Sequence, residues 1–411
     1  MTVHPMISAL RKHKAGVALI VLQVALTLAI VCNAIFIIGT RIERIARPTG
    51  LDEADLFLIT QQWVGLGASA DNMERLDAMQ REDLATLRGL PEVASATPIS
   101  SLPLLDSAAW NGAVDLRPVQ SNASAKANFY FADEAALPTL GLRLLAGRNF
   151  EAGDVQHKPF GDVGAPAIVI VSKDLADRLF PDGDAVGKSV YLDGNAAPSR
   201  IVGITSRLQT PGINDYGAYY SVLVPSRFNS TFSRYAVRAK PGQRDAAMRA
   251  VSAALYRVNG QRVIADDGIR SYTDIRQQAY RADIGMALLM CGVSLILLCV
   301  TAAGIFGLTS FWVDQRRRQI GVRRALGARR RDVLSYFQLE NLLIVGTGAM
   351  AGVALAIALN LLLISRYEMA RLPVVHVLLG VLLMVCLSQL STFIPARRAV
   401  KVEPASAIRS M

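Results

Sequence analysis

The residues with the most chemical promise are Gly187-Lys188-Ser189, which close the stretch Asp182–Ser189, DGDAVGKS. Glycine, lysine and a hydroxyl in this order are what a phosphate-binding loop uses. Backbone amides cradle the phosphates, the lysine meets their charge and the hydroxyl holds magnesium. The spacing fails here: Gly183 stands four positions before Gly187, one too few, and Asp182 at the required position would set a carboxylate against phosphate. The surroundings are also reversed. Ile168–Val171 (IVIV) reads as a strand, Ser172–Phe180 as a helix and Ser189–Asp193 as a second strand. A phosphate loop leads from a strand into a helix, so DGDAVGKS is read as a polar turn between a helix and a strand.

Other chemistry is sparse. The histidines (His4, His13, His157 and His376) are scattered singly, and no Cys/His group has metal-ligand spacing. A segment of 243 residues, Arg41–Asp283, holds one histidine, His157, no cysteine and no G-x-S-x-G nucleophile elbow. Asp266-Asp267 reads as a solvated turn, and Asn229-Ser-Thr matches a glycosylation acceptor only in a secretory eukaryotic setting.

Positioning these residues is a matter of the membrane. The chain has 411 residues, 52% of them hydrophobic, and a mean hydropathy of +0.32, too apolar for an ordinary soluble protein. Four runs carry no charge: Ala15–Thr40, Ile284–Val313, Asn341–Ser365 and Leu372–Ala396. Each exceeds the roughly 20 residues that cross a bilayer as a helix. The first is too long for a cleaved leader and reads as an uncleaved anchor. Lysine and arginine are retained on the cytoplasmic side. Met1–Lys14 carries three such residues, Asp314–Glu340 eight and Arg397–Met411 four, and four spans put these segments on one face. That face is expected to be the cytoplasm. Arg41–Asp283 has 27 basic and 28 acidic residues and lies outside, and Arg366–Arg371 forms a short outer loop. The net charge of +11 is thus a topology signal, with some arginines at anionic lipid, and not a mark of nucleic-acid binding. The four cysteines all fall within spans, so the outer domain must be held by its core alone.

The outer domain reads as mixed α/β. Strands are expected at Leu56–Gln62, in PEVASATP, at Phe129–Phe131, Arg200–Thr205, Ser221–Pro225, Tyr235–Ala239 and Val263–Ala265. Helices are expected at Met73–Leu87, Leu137–Leu145 and Arg244–Val258. Strand–helix–strand order at each end suggests two small α/β lobes. Within the spans, Gly348 and Gly352 form GxxxG in the third, and Ala303, Gly304 and Gly307 offer small-residue contacts in the second. Gln23, Thr27 and Asn33 in the first could hydrogen-bond across a helix interface or simply be tolerated by lipid.

The densest pattern is Asp314–Glu340, DQRRRQIGVRRALGARRRDVLSYFQLE. It reads as a short basic helix, Gln315–Leu326, a stop at Gly327 in the left-handed position that ends helices, and a second helix with Asp332 near its positive end. Anchoring alone would need only charge. Ile320-Gly321 and Ala325-Leu326-Gly327-Ala328 among arginines make an apolar ridge suited to a groove on a soluble partner.

This block resembles the coupling segment of FtsX/MacB-type ABC transporter permeases, R-E-I-G-[IV]-R-R-A-L-G-A-[TR]-R-R-[DQ]-[IV]. It stands here as Arg318, Gln319, Ile320, Gly321, Val322, Arg323, Arg324, Ala325, Leu326, Gly327, Ala328, Arg329, Arg330, Arg331, Asp332, Val333, and Glu340 matches a glutamate common at the start of the third span. Gln319 departs from the usual glutamate and removes a charge that could pair with an arginine. The ending from Pro395 to Ala405 resembles the family's tail, and LGLRLLAGRNFEAGD, AIVIVSKDLADRLFPDGDAVGKSVYLDG and RIVGIT resemble the MacB-type periplasmic domain.

The resemblance covers nearly the whole chain and implies a fold: four transmembrane helices with a large periplasmic α/β domain of two lobes between the first and second. It implies a multi-pass permease of the bacterial inner membrane with cytoplasmic termini, working as a dimer with a second copy or a paralogue. The three expected cytoplasmic pieces total 56 residues, so ATP and magnesium are expected on a separate ABC ATPase dimer and no cofactor on this chain. The implied mechanism is mechanotransmission: ATPase closure moves the coupling helix, the second span passes the motion on, and the outer domain changes shape. The reading given first is efflux of a small molecule or peptide from the periplasm with an adaptor and an outer-membrane channel. Release of lipoproteins is the alternative, and FtsX-like control of a cell-wall hydrolase a third.

Overall fold

In the computed structural model, residues 14–65, 72–107, 109–162, 164–213, 216–325, 328–367 and 371–400 are described, the side chains of 318, 323–325, 367 and 399–400 excepted. In chain order, α1 (Lys14–Ile45) precedes β1 (Leu56–Trp63), α2 (Met73–Arg88), β2 (Val93–Pro98), β3 (Trp110–Asp115), β4 (Ala125–Ala132) and α3 (Ala136–Leu140). Then come β5 (Leu144–Gly147), β6 (Gln156–Pro159), β7 (Ile168–Ser172), α4 (Lys173–Leu179), β8 (Ser189–Leu192), β9 (Ser199–Thr205), β10 (Ser221–Asn229) and β11 (Phe232–Ala239). The chain continues through α5 (Arg244–Val258), β12 (Arg262–Val263), β13 (Ile269–Ser271), α6 (Tyr272–Gln315), α7 (Arg317–Ala325), α8 (Arg330–Tyr367) and α9 (Val374–Val400). Two compact units result: Ala46–Arg281 is one, and the helices on either side of it form the other.

The α/β unit holds two sheets. In the first, β1 runs antiparallel to β11 from Leu56↔Arg238 to Gln62↔Phe232, β2 flanks β11, and β12 and β13 flank β1. Alternation along LFLITQQW sends Phe57 and Ile59 to one face and Leu56 and Leu58 to the other. Phe57 and Ile59 pack with Leu84 and Leu87 of α2 and Val251 and Leu255 of α5. Leu56 and Leu58 join Tyr130, Ile170 and Leu223 of the second sheet. Each such fully buried side chain is worth about 1.5–3 kcal/mol of hydrophobic burial. Strand–helix–strand order at the two ends of the domain therefore does not make one lobe at each end. Both ends meet in a single sheet, and the middle of the domain supplies the other.

That second sheet closes on itself. Its order is β4-β3-β8-β9-β7-β10, and β10 returns to pair in parallel with β4, Val222 opposite Phe129. Closure leaves no open edge along these six strands. One face packs Phe129, Val169, Val171, Ile201 and Val222 against Leu175 and Leu179 of α4. The helix expected over Leu137–Leu145 ends at Leu140, because Gly141 takes φ +71° beside Asp52, and Leu144–Gly147 is instead a strand on β9. The strand expected at Val263–Ala265 lies at Arg262–Val263, and β3, β6 and β13 arise where no strand was expected.

In the other unit, four helices among the described residues are long and apolar enough to cross a membrane: α1, α6, α8 and α9. Helix α1 is central, burying Val24, Leu28 and Cys32 at helical spacing. Small residues set the distances. A Cβ added at Gly348 would lie 2.9 Å from Val24 Cβ, and one at Gly352 would lie 3.0 Å from Ala25 O, so both glycines of the GxxxG pair let α8 reach α1. Gly304 admits the Gln23 amide. Thr27 and Thr301 share a hydroxyl hydrogen bond of 2.9 Å, and Asn33 Nδ2 donates to Ala29 O and, at 3.2 Å, to Ala356 O of α8. Ala303 and Gly307 are not covered by the described residues of the chain. They lie about 200° round the helix from Thr301 and Ile305, which face inward, and both are exposed.

Gly348→Val should therefore push α8 off α1, at about 1–3 kcal/mol, read as a lower unfolding midpoint in mild detergent. Gly346→Val, on the same helix where an added Cβ meets nothing within 4 Å, is the control and should leave that midpoint unchanged.

Candidate functional site

The arginine-rich segment occupies the turn from α6 to α8. Helix α6 ends at Gln315, Arg316 makes the turn and α7 begins at Arg317. Backbone bonds nearly run through it: Arg316 N donates to Trp312 O at 3.1 Å and Ile320 N to Arg316 O at 3.0 Å. The apolar residues in this charged stretch explain why α7 lies where it does. Ile320, 6% exposed, buries with Val313 of α6, Val333 and Phe337 of α8 and Ala396 of α9. Gly321 is buried beside it.

One ion pair fixes the turn. Arg316 Nη1 donates to both carboxylate oxygens of Glu340, at 3.0 and 2.9 Å, and Glu340 is 1% exposed. The guanidinium also lies over the Trp312 ring, 6.0 Å from its centroid. At the start of α8, Asp332 Oδ2 accepts from Arg329 N at 3.0 Å, which satisfies an amide of the first turn and sets negative charge at the positive helix end.

The expected site residues thus divide. Ile320, Gly321 and Glu340 point into the unit, so Ile320 holds α7 in place and is not part of an outward ridge. Its i+4 relation to Arg316 and the wedge of Val333 and Phe337 turn it inward. Gln319, Val322, Arg329 and Arg330 are exposed, Val322 at 48%, and Ala328 is half-buried. Arg323, Arg324 and Ala325 lie on α7, the side chain of Arg318 is outside the description, and Leu326 and Gly327, with the helix stop expected there, lie outside the described residues. Arg316 was not among the expected site residues. In a block of eight arginines nothing local marks the one that pairs, and its carboxylate lies 24 positions on.

DGDAVGKS does form a turn between α4 and β8. Gly183, Asp184 and Gly187 take positive φ, Gly187 N donates to Ile201 O at 2.7 Å and Lys188 N to Ala185 O at 3.2 Å. Amides bonded to the protein itself form no phosphate cradle. His157 belongs to a surface charge group on Asp77, whose Oδ1 it approaches to 2.5 Å, with Arg81 at 3.0 Å and Arg227 at 3.4 Å from the same carboxylate. Burial, then the Arg227 charge, push its imidazole below the ordinary range, outweighing Asp77. Asn229 is buried and donates to Met73 O, so the acceptor motif presents no free amide.

Four membrane-type helices, an α/β unit inserted after the first and a basic helix at the turn between the second and third define a permease class. The MacB-like periplasmic core domain model matches residues 17–254 and the FtsX-like permease C-terminal model residues 292–404. The chain belongs to the MacB/FtsX-type family of ABC transporter permeases. It is 28% identical over 276 residues to a protein of Chromobacterium violaceum named macrolide export ATP-binding/permease protein MacB, covering 65% of this chain and 41% of that one. A protein of the same name from Neisseria gonorrhoeae is 25% identical over 353 residues, covering 84% and 51%. The chain thus spans about half the length of the curated relatives it matches. The periplasmic region of MacB from Actinobacillus actinomycetemcomitans is similar over 57% of this chain and 96% of that one, at 18% identity and TM-score 0.34.

Proposed function

We propose that this chain is the non-catalytic permease subunit of an ABC transporter of the bacterial inner membrane, with the α/β unit periplasmic and both termini cytoplasmic. An ABC ATPase on another chain docks on α7 and drives it, and the substrate is a small molecule or peptide exported from the periplasm through an adaptor and an outer-membrane channel. The observation that carries this is the anchoring of α7. Ile320 and the Arg316–Glu340 pair tie it to α6, α8 and α9, so a push on its exposed face is passed to the spans rather than absorbed by a loose loop. The names of the MacB relatives favour export over lipoprotein release. Ala303 and Gly307, on the uncovered face of α6, would let a helix of a second copy approach closely.

The test is charge reversal of Arg323 and Arg324 together. Two interface arginines of this kind carry enough binding energy that nucleotide-driven ATPase stimulation should fall about tenfold, with membrane insertion intact. Unchanged stimulation would show that α7 only anchors, and failure of any ABC ATPase to co-purify would sink the transporter reading itself.

A further inference from the structure

The α/β unit contains a cleft that coupling to an ATPase does not use. Its wall is aromatic. Phe131 of β4 and Phe228 of β10 lie 4.5 Å apart between ring centroids, and Trp110 of β3 stands about 6 Å from both and from Phe160. Phe160, just past β6, is 55% exposed at the mouth. Phe131 is a covered core ring, 3% exposed, but Trp110 and Phe228 are only half-buried and, with Phe160, leave aromatic surface open at the cleft. The cleft holds about 450 Å³ of empty space counting its open mouth, but only about 40 Å³ within reach of the centre of a water-sized molecule. Its closed end thus admits a small flat group and no bulky macrocycle.

Polar atoms at the floor lack partners. Gln80 Oε1, Ser226 Oγ, Arg227 Nε and Arg234 Nε are buried and make no hydrogen bond, and all four residues line the cleft. Gln80, Ser226 and Arg234 are each more than nine-tenths buried. Leaving such atoms unpaired costs about 1–3 kcal/mol each, and the cost is recovered when a ligand supplies the missing partner. Arg234 has the greatest need. Its Nη1 donates to Ser100 O and Ser107 O, at 3.0 and 2.6 Å, and Nη2 to Ser107 Oγ at 2.9 Å, so among the described residues neutral acceptors and the Phe232 ring, 5.0 Å from its Cζ, are what meets its charge. Burial, and then the charge of Arg270, lower its guanidinium to about 10. The group remains a cation at neutral pH, and among the described residues no carboxylate balances it.

We propose that this cleft binds a small planar aromatic acid, the ring against Trp110, Phe160 and Phe228 and the acid oxygen accepting from Arg234 Nε–H. Ser226 Oγ and Gln80 Oε1 would receive any hydroxyl or amide hydrogen that the ligand carries. The site lies wholly within the α/β unit, so it stands or falls independently of the ATPase reading.

Equilibrium dialysis of 2-naphthoate against the full chain in zwitterionic nanodiscs, with empty nanodiscs as blank, tests it. One saturable site per chain is expected. 2-Naphthamide, which lacks the charge, should bind about tenfold more weakly. Phe160→Ala, at an exposed position that the fold tolerates, should weaken 2-naphthoate about threefold through the lost ring contact. Arg234→Gln, which removes the charge, should erase the preference for acid over amide. Absence of saturable uptake at millimolar 2-naphthoate overturns the proposal. So does equal affinity for acid and amide in the unaltered chain, or an unchanged affinity in Phe160→Ala, and these two results decide the matter even where Arg234→Gln fails to fold.

Discussion

Glu340→Ala is expected to destabilise the membrane unit by about 3–5 kcal/mol, the cost of leaving one member of a buried ion pair uncompensated. The pair is buried on both sides, with Arg316 and Glu340 side chains 14% and 2% exposed. Alanine would strand the guanidinium between Trp312 and a cavity at the root of α7. Glu340→Gln, which keeps an acceptor and loses the charge, should cost less. The double variant Arg316→Met with Glu340→Met should recover most of the loss, since apolar replacement of a whole buried pair is often neutral or stabilising. Denaturant titration in mild detergent measures all three. A loss below about 1 kcal/mol, the scale of an exposed pair, would mean that water reaches the carboxylate. The functional consequence follows the structural one: with the turn loosened, nucleotide-driven stimulation should fall in Glu340→Ala even with every surface arginine in place.

Much of this architecture is legible in the residues alone, and the reason differs by element. The four membrane helices declare themselves because hydrocarbon demands an unbroken run of apolar side chains, a signal that does not depend on neighbours. The strand at Ile168 and the helices at Met73 and Arg244 show their periods just as locally. What the residues alone do not reveal is set by distant pairing. Parallel contact of β10 with β4 closes the second sheet across some ninety residues. The gathering of both domain ends into one sheet depends on β1 meeting β11, more than 170 positions apart. The short strands β3 and β6 have little pattern of their own and exist because a neighbour offers hydrogen bonds. Small residues are half legible. Gly348 and Gly352 mark a contact, but only the turn of α6 shows that Gly304 faces α1 while Ala303 and Gly307 face away.

The arginine block illustrates a different limit. Its charge leads one to expect it on one side of a membrane, and its likeness to a family motif leads one to expect a partner there. Neither shows which way Ile320 points. In a nine-residue helix the apolar residues are few enough to face either a partner or the protein's own core, and the choice rests on the wedge that Val333 and Phe337 offer. Anchoring is therefore assigned by residue: Ile320, Gly321 and Glu340 hold the helix, and Val322 with the exposed arginines is left for the docking proposed above.

Asp83→Ala should have a comparable effect in the other unit, about 3–5 kcal/mol, for a related reason. Asp83 and Arg262 have side chains with no exposure at all, 2.8 Å apart. Asp83 Oδ2 also accepts from Gln61 Nε2 at 2.6 Å, Tyr235 OH at 3.0 Å and Arg262 Nη1 at 2.9 Å. Arg262 in turn donates to Gln61 Oε1 at 2.8 Å and Asn259 O at 2.7 Å. The network therefore pins α2 to three strands of the first sheet, β1, β11 and β12, at the place where the two ends of the domain meet. Removing the carboxylate leaves a buried guanidinium, an amide and a phenol with no common acceptor. Asp83→Asn should cost less than alanine, and Asp83→Leu combined with Arg262→Met should lie closest to the unaltered protein. Hydrogen exchange gives a check that a merely global loss would not satisfy. Amides of α2 and of the β1–β12 pairing should lose protection first in Asp83→Ala, while the closed second sheet, whose core does not include Asp83, keeps its own. Uniform loss across both sheets would mean that the α/β unit unfolds as one and that the network does not hold the first sheet separately.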